Sequence, residues 1–231
     1  MRQIPKTVIG IELNGIVRNT NKQILKYYKK DINKDFDDSN IDLNVNAFIE
    51  TLPFKNKKER KKFHTEDYAF EINGSANCMK KGLMVKLNEW LLNIHNNPST
   101  DIDLAFFSLF EHDILLQSTL FFLGKLGCRI RKTFFPINSK EVWDECDVAI
   151  TNSDTVVNTK PYDKVCIFIS NNSDNSKLEE KCDFVYKSIE EIIEDETFIT
   201  KVEEKLKEKK DNLKKKEPWF KKTILSLINN L

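Results

Sequence analysis

Short apolar runs alternate with amphipathic stretches along much of this chain, and that alternation limits the fold more than any other feature of the sequence. Between the runs, apolar residues recur at spacings of three and four, as over residues 83–94, which is typical of an amphipathic helix. Strands that alternate with helices imply a parallel sheet covered by helices on both faces. We therefore expect an α/β fold whose central strand ends at Leu13, between strands that end near Phe107 and Ile150. The runs predicted as strands are residues 6–13, 101–110, 128–135, 147–151, 164–170 and 182–186.

Two segments depart from the alternation and divide the chain into three parts. Residues 31–77 mix acidic, Asn-rich and basic patches with scattered aromatic residues, which predicts a small inserted, cap-like lobe. The α/β core then comprises residues 1–30 and 78–196. Residues 197–231 form a C-terminal helical extension, in which a charged helix precedes an amphipathic interaction segment.

The C-terminal extension predicts contact with another protein chain. Its first part, from about Thr197 to Lys216, is polar nearly all round and is interpreted as a solvated spacer. A short terminal helix is marginal alone in water, so it needs a hydrophobic groove on a partner or on its own core. The external groove is the favoured alternative. The predicted partner-binding residues are Trp219, Phe220, Ile224, Leu227, Ile228 and Leu231.

Charge and cysteine content exclude several classes of function. Lys and Arg number 37 against 36 Asp and Glu, so no global field attracts the protein to nucleic acid or to a membrane. The five cysteines are odd in number and never form a CxxC pair, which argues against a disulfide framework or a structural zinc site. No run approaches the roughly 18 apolar residues of a membrane span. We expect a protein that is not secreted.

The residues just after each predicted strand should carry any chemistry. Ligands in open α/β sheets bind at the carboxyl ends of the strands, where the strand order reverses. Lys140, at the start of a short helix, precedes the strand that ends near Ile150 and is a further candidate. The candidate site residues selected in this way are Glu12, Asn14, Ser108, Lys140, Thr151 and Asn152.

The arrangement of these residues resembles the haloacid dehalogenase (HAD) superfamily, a set of mostly Mg-dependent phosphohydrolases with a Rossmann-like sheet. The resemblance spans about residues 7–194. In that family the first strand ends in hhhDxDGxhh, and here VIGIELNGIV places Glu12 at the nucleophile and Asn14 at the general acid/base, and keeps Gly15. It also implies that Ser108 stands for the Ser or Thr of the second motif.

The remaining motifs of the family match less closely. The lysine of the third motif corresponds best to Lys140 and second best to Lys132. Thr151 and Asn152 occupy the place of the acidic pair of the fourth motif, and Asp154 is displaced from it by two residues. Residues 31–77 lie where the family inserts its first cap.

Each departure from the family pattern removes a chemical role. Glu is longer than Asp by one methylene, which displaces an attacking oxygen by about 1 Å. Asn14 cannot shuttle a proton. Mg²⁺ prefers one or two carboxylates, and Thr151 and Asn152 supply none. The sequence therefore predicts little or no catalysis, and no cofactor unless Mg²⁺ serves a residual phosphatase activity.

Two hypotheses of function follow from the resemblance. The first is a non-catalytic HAD-like protein that serves as a structural, assembly or binding module, with other protein chains as partners through the C-terminal helix. The Lys- and Asn-rich composition and the altered site suit a bacteriophage virion or neck component, located in the bacterial cytoplasm or within a virion. The alternative is a weak Mg-dependent phosphohydrolase of nucleotides or small phosphate esters, with Glu12 as nucleophile or base and Asp154 or Asp147 as metal ligand.

Simpler interpretations remain open for single residues. Ser108 is equally consistent with a helix cap, and Lys140 with a solvated helix residue. Binding of nucleic acid by the basic stretch KNKKERKK or the C-terminal lysines ranks last, because neither has interleaved Arg and aromatic residues.

Overall fold

The computed structural model of the chain describes residues 6–43, 48–98, 100–109, 114–170 and 176–228, and the side chains of residue 176 and residues 215–228 lie outside this description. The strands are β1 (Thr7–Glu12), β2 (Arg18–Asn19), β3 (Asn77–Cys78), β4 (Ile102–Phe107), β5 (Lys132–Phe134), β6 (Val148–Thr151), β7 (Val165–Ile169) and β8 (Phe184–Tyr186). The helices are α1 (Thr20–Asp31), α2 (Lys57–Lys62), α3 (Leu83–Asn96), α4 (Ile114–Lys125), α5 (Ser139–Glu145), α6 (Asp154–Asn158), α7 (Ser176–Glu179), α8 (Ile189–Glu194) and α9 (Phe198–Ile228).

Six parallel strands form the main sheet, in the order β5-β4-β1-β6-β7-β8. The predicted centre is confirmed, because β1 pairs with β4 on one side and with β6 on the other. Numbered along the chain, these six strands lie in the order 3-2-1-4-5-6 of a doubly wound, Rossmann-like sheet. The order reverses between β1 and β6, so a ligand is expected at the carboxyl ends of these two strands.

Helices cover both faces of this sheet, as the alternating pattern predicts. On one face Ile9 and Ile11 of β1 belong to a large buried cluster that includes residues of α3, α4, α8 and α9. On the other face a smaller cluster joins Phe107 and Ala149 to buried residues of α5 and α6. Gly10 permits the close packing on this second face, because a Cβ atom there would lie 2.6 Å from the Cys146 sulfur.

The inserted segment lies between β2 and β3, which pair as a short antiparallel ribbon with Arg18 opposite Cys78. It contains α1, α2, a 3-10 turn at Phe48–Glu50 and two π-helical turns at Phe63–Asp67 and Phe70–Gly74. We call residues 20–76 the lobe. The sequence analysis assigned α1 to the core segment 1–30, but its buried apolar residues lie in the lobe's own apolar cluster. That cluster is formed by Ile24, Tyr28, Phe48, Leu52, Phe63 and Ile72.

The C-terminal helix corrects one prediction about the chain. The segment from about Thr197 to Lys216 is not a solvated spacer, because Phe198, Val202 and Leu206 are buried in the large cluster. These three residues are four positions apart, so they form one apolar stripe along an otherwise charged helix. The Lys209 ammonium continues the stripe and lies 2.9 Å from the Asp183 carboxylate.

Beyond this docked part, α9 continues without a break to Ile228. The predicted partner-binding side chains from Trp219 to Ile228 lie outside the described side chains, and Leu231 lies outside the described residues. Among the helices that the structure describes, none combines the length and the apolar character required to cross a membrane.

Candidate functional site

A tight loop follows β1 and lies at the carboxyl ends of the strands, where the strand order reverses. The Leu13 carbonyl accepts hydrogen bonds from the amides of Val17 and Arg18, at 3.0 and 2.8 Å. Gly15 lies in this loop with φ at 76°, a left-handed conformation that favours glycine. A Cβ atom on Gly15 would also collide with the side-chain amide of Asn152, so the loop lies directly against the end of β6.

Glu12 connects the carboxyl ends of β1 and β6. Its Oε2 accepts a hydrogen bond of 2.5 Å from the Thr151 hydroxyl and one of 3.2 Å from the Asn152 amide. Burial raises the pKa of this carboxyl to about 7, and the two hydrogen bonds offset only part of the effect. The carboxyl group is therefore held in place by β6 and is partly protonated at neutral pH.

Asn14 belongs to a second group of contacts, centred on Arg18. The Asn14 amide donates to the Ser108 hydroxyl at 3.2 Å, and the Asn14 oxygen accepts from Arg18 Nε at 2.8 Å. Arg18 Nη2 lies 3.3 Å from the Ser108 oxygen, and Nη1 donates to the Thr119 hydroxyl. The guanidinium also lies 5.6 Å from the centre of the Phe122 ring, a cation–π contact.

Arg18 is the residue of this site that the sequence analysis missed. Its side chain is fully buried, although arginine is rarely buried unless its donors are satisfied. One signal was present: the chain has only five Arg among its 37 basic residues, and one of them comes four positions after Asn14. Because Arg offers five donors in a fixed planar arrangement, it can connect β1, β4 and α4 where Lys could not.

The structure brings four of the six candidate residues into contact in two pairs and places a fifth beside them. Glu12 contacts Thr151 and the Asn152 amide, and Asn14 contacts Ser108. Lys140 is exposed in the first turn of α5, where its amide donates to Asn138 Oδ1 at 3.0 Å.

The other candidates proposed for a lysine or metal-ligand role lie elsewhere. Lys132 forms an ion pair of 3.0 Å with Glu145, at the end of α5. Asp147 precedes β6 at the amino edge of the sheet, where it accepts from the Val8 amide and pairs with Lys164, both at 3.1 Å. The prediction that Asp147 could bind a metal ion together with Glu12 is therefore wrong, since Asp147 lies at the amino ends of the strands and Glu12 at their carboxyl ends. Asp154 begins α6 and is exposed.

The described residues at the carboxyl end of β1 include few ligands of the kind that Mg²⁺ prefers. In the part of the chain that the structure describes, no three His, Cys, Asp or Glu side chains converge as metal ligands would. Glu12 is the carboxylate held at the edge, and its Oε2 already accepts two hydrogen bonds. Mg²⁺ binding normally uses one or two ionised carboxylates, and burial works against ionisation of Glu12.

Comparison with known proteins finds similarity of structure and not of sequence. No family model matches the chain, and no curated protein matches it. The structure is similar to a haloacid dehalogenase-like hydrolase of Burkholderia xenovorans, at 10% identity and a TM-score of 0.49, covering 84% of this chain and 98% of that one. It is also similar to a haloacid dehalogenase-like family hydrolase of Xanthomonas campestris, at 9% identity and a TM-score of 0.39, covering 73% and 87% respectively.

Proposed function

We propose that this chain is a non-catalytic HAD-like protein that acts as a binding or assembly module. The observation that carries the proposal is the set of hydrogen bonds made by Glu12 and Asn14, at the end of β1. Glu12 is buried and hydrogen-bonded to β6, and Asn14 is hydrogen-bonded to both Ser108 and Arg18. Both side chains connect structural elements, and this supports a structural role for them.

Phosphoryl transfer would require properties that these contacts work against. A nucleophilic carboxylate must be ionised and have a free lone pair directed at phosphorus. Burial raises the pKa of the Glu12 carboxyl to about 7, which lowers the ionised fraction at neutral pH, and two donors fix the position of its Oε2. An amide such as that of Asn14 has no titratable proton, so it cannot protonate a leaving group or activate water.

A phosphatase assay tests the loss of catalysis. We expect no turnover of p-nitrophenyl phosphate or nucleoside monophosphates by the full chain with Mg²⁺. Glu12→Ala and Glu89→Ala, a change on the exposed surface of α3, should both equal the blank. Turnover that disappears in Glu12→Ala and persists in Glu89→Ala would overturn the proposal.

The assembly role is assigned to the C-terminal segment, residues 219–231. Deleting residues 217–231 leaves the docked stripe of Phe198, Val202 and Leu206 in place, so the melting temperature should change little. The same deletion should abolish co-purification with the partner, whereas Lys221→Ala with Lys222→Ala should preserve it. If the truncated chain unfolds, the segment is an intramolecular clasp and the assembly role is wrong.

The proposed virion role has a separate test. If the protein is a bacteriophage virion or neck component, it should be detectable in purified particles by mass spectrometry.

The alternative, a weak Mg-dependent phosphohydrolase, has one observation in its favour. A carboxyl group with a pKa of about 7 can donate or accept a proton near neutral pH. In that case the rate should depend on pH through the Glu12 titration and should disappear in Glu12→Gln.

A further inference from the structure

A groove of about 610 Å³ opens at the amino ends of the parallel strands, on the side of the sheet opposite Glu12. Lys6 and Arg131 line it from the positions just before β1 and β5, and Asp103 lines it from β4. His95 of α3 and Arg129 complete its polar lining. We call this feature the basic groove.

The basic groove concentrates positive charge in a chain whose total charge is only +1. Lys6, Arg129 and Arg131 are cationic, and the acidic residue in the lining is Asp103. Its Oδ1 accepts from the Leu104 amide at 3.0 Å and lies 3.3 Å from His95 Nε2, so the lining holds three cations against one carboxylate. Within the described part of the chain, neither Arg129 nor Arg131 has a salt-bridge partner, whereas the adjacent Lys132 pairs with Glu145.

The backbone that carries the two arginines is fixed in place. Asn88 of α3 accepts from the Arg129 amide at 2.8 Å and donates to the Gly127 carbonyl at 2.9 Å. Ile130, between the arginines, is 5% exposed and anchors the segment in the large cluster. The two exposed guanidinium groups therefore start from an ordered support, which lowers the entropy cost of binding an anion.

The remaining wall of the basic groove is apolar. It is formed by Leu91, Leu92 and Cys128, and Leu92 is 40% exposed. The volume falls in the range of small-molecule pockets, roughly 300–1,000 Å³. Among the described residues the lining contains no Phe, Tyr or Trp, so it lacks the large ring faces on which single-stranded nucleic acids usually stack.

We propose that the basic groove binds a small organic phosphate. Guanidinium groups match phosphate oxygens with paired hydrogen bonds, so the phosphate lies between Arg129 and Arg131. Lys6 adds charge, and the organic part of the ligand lies against Leu92. This site is separate from the residues around Glu12.

Calorimetric titration of the full chain with phenyl phosphate tests the proposal, with inorganic phosphate and phenol as matched probes. We expect a Kd of millimolar or tighter for phenyl phosphate, weaker binding of inorganic phosphate and none of phenol. Arg129→Ala with Arg131→Ala should lower the affinity at least about tenfold. Arg129→Lys with Arg131→Lys keeps the charge and should lose affinity less severely.

A control with the same loss of charge is available on the lobe. Lys57→Ala with Lys58→Ala removes two exposed cations from α2 and should leave the affinity unchanged. Absence of phenyl phosphate binding, or binding that persists in the Arg129/Arg131 alanine variant, overturns the proposal. Equal affinity for inorganic phosphate overturns the role of the apolar wall. Tighter binding of a single-stranded oligonucleotide that requires both arginines overturns the assignment to a small ligand.

Discussion

Glu12 carries an ionisable group into the interior of the protein, and its titration should be visible in the stability of the fold. Burial raises the pKa of Glu12 from 4.5 to about 7, so the folded state holds its proton more tightly than the unfolded state does. Between these two values the unfolded chain releases the proton first. The contribution of Glu12 is therefore full below about pH 4.5 and is lost as the pH rises toward 7, a change of roughly 3 kcal/mol.

Replacing Glu12 by Gln should remove this titration. Gln keeps an oxygen that can accept from Thr151 and from the Asn152 amide but has no proton to lose. The free energy of unfolding of Glu12→Gln, relative to the original chain, should rise by up to roughly 3 kcal/mol from pH 5 to pH 8 in urea titrations. Glu89→Gln, on the exposed face of α3, should follow the original profile. Parallel profiles for Glu12→Gln and the original chain would contradict the raised pKa.

Two glycines offer the same substitution with opposite expected signs. Gly15→Ala would force a Cβ into the left-handed region and against the Asn152 side chain, so it should destabilise the fold by about 1–3 kcal/mol. Gly124 lies in α4 with open space around its Cα. Gly124→Ala should stabilise the fold by about 0.5–1 kcal/mol, because alanine has the better helix propensity. Thermal unfolding of the two variants checks both signs, and equal shifts would contradict the geometry of the β1 loop.

Among the helices, α9 shows how a few apolar residues can fix a charged element. Leu206 is 4% exposed in the large cluster, whereas Leu213 is 40% exposed. Leu206→Ala should cost about 2–5 kcal/mol through lost burial and a cavity, and Leu213→Ala should cost less than about 1 kcal/mol. Chemical denaturation distinguishes them. If both variants unfold like the original chain, α9 is not docked on the core.

An ion-pair group next to this stripe attaches α9 to the edge of the sheet. Asp183 lies 2.9 Å from both Lys160 and Lys209 and accepts from the Cys166 amide. Burial alone would raise the pKa of Asp183, but these donors outweigh it and lower the pKa. Asp183→Asn should cost about 3–5 kcal/mol because it leaves two largely buried ammonium groups without a counter-charge. Asp144→Asn, an exposed change on α5, serves as the control in the same urea titration, and an equal effect would contradict the role of Asp183.

The sequence predicts these elements unevenly, for physical reasons. The central strands are clear because runs such as DLAFF are buried on both faces and therefore apolar throughout. The boundary placed at residue 197 lies one residue before α9, but the contact of Asp195 with the Tyr186 hydroxyl, which helps to fix this break, is distant in sequence and is not predicted. At the candidate site, strand order predicts which tips meet, but not that Arg18 turns inward between Asn14 and Ser108.

In the molecule as a whole, the lobe has an apolar cluster separate from those of the sheet. Phe63 is 1% exposed in the lobe cluster, and Phe106 is fully buried in the large cluster of the sheet. Phe63→Ala should lower hydrogen-exchange protection in residues 20–76 and leave β1, β4 and β6 protected, because local units can open separately. Phe106→Ala should lower protection throughout. Equal loss in the lobe and the sheet for Phe63→Ala would show that the two unfold together.

The outermost strands of the sheet, β5 and β8, are each three residues long, while the central β1 and β4 have six. Within the described part of the chain neither outer strand has a further neighbour, so each has an unpaired side that another strand could join. An edge this short offers few amides and carbonyls, and Lys132 adds a charge to one of them. Growth of the sheet from one molecule to the next is thereby disfavoured, and we expect the protein to resist fibril formation at concentrations where a longer edge would seed it.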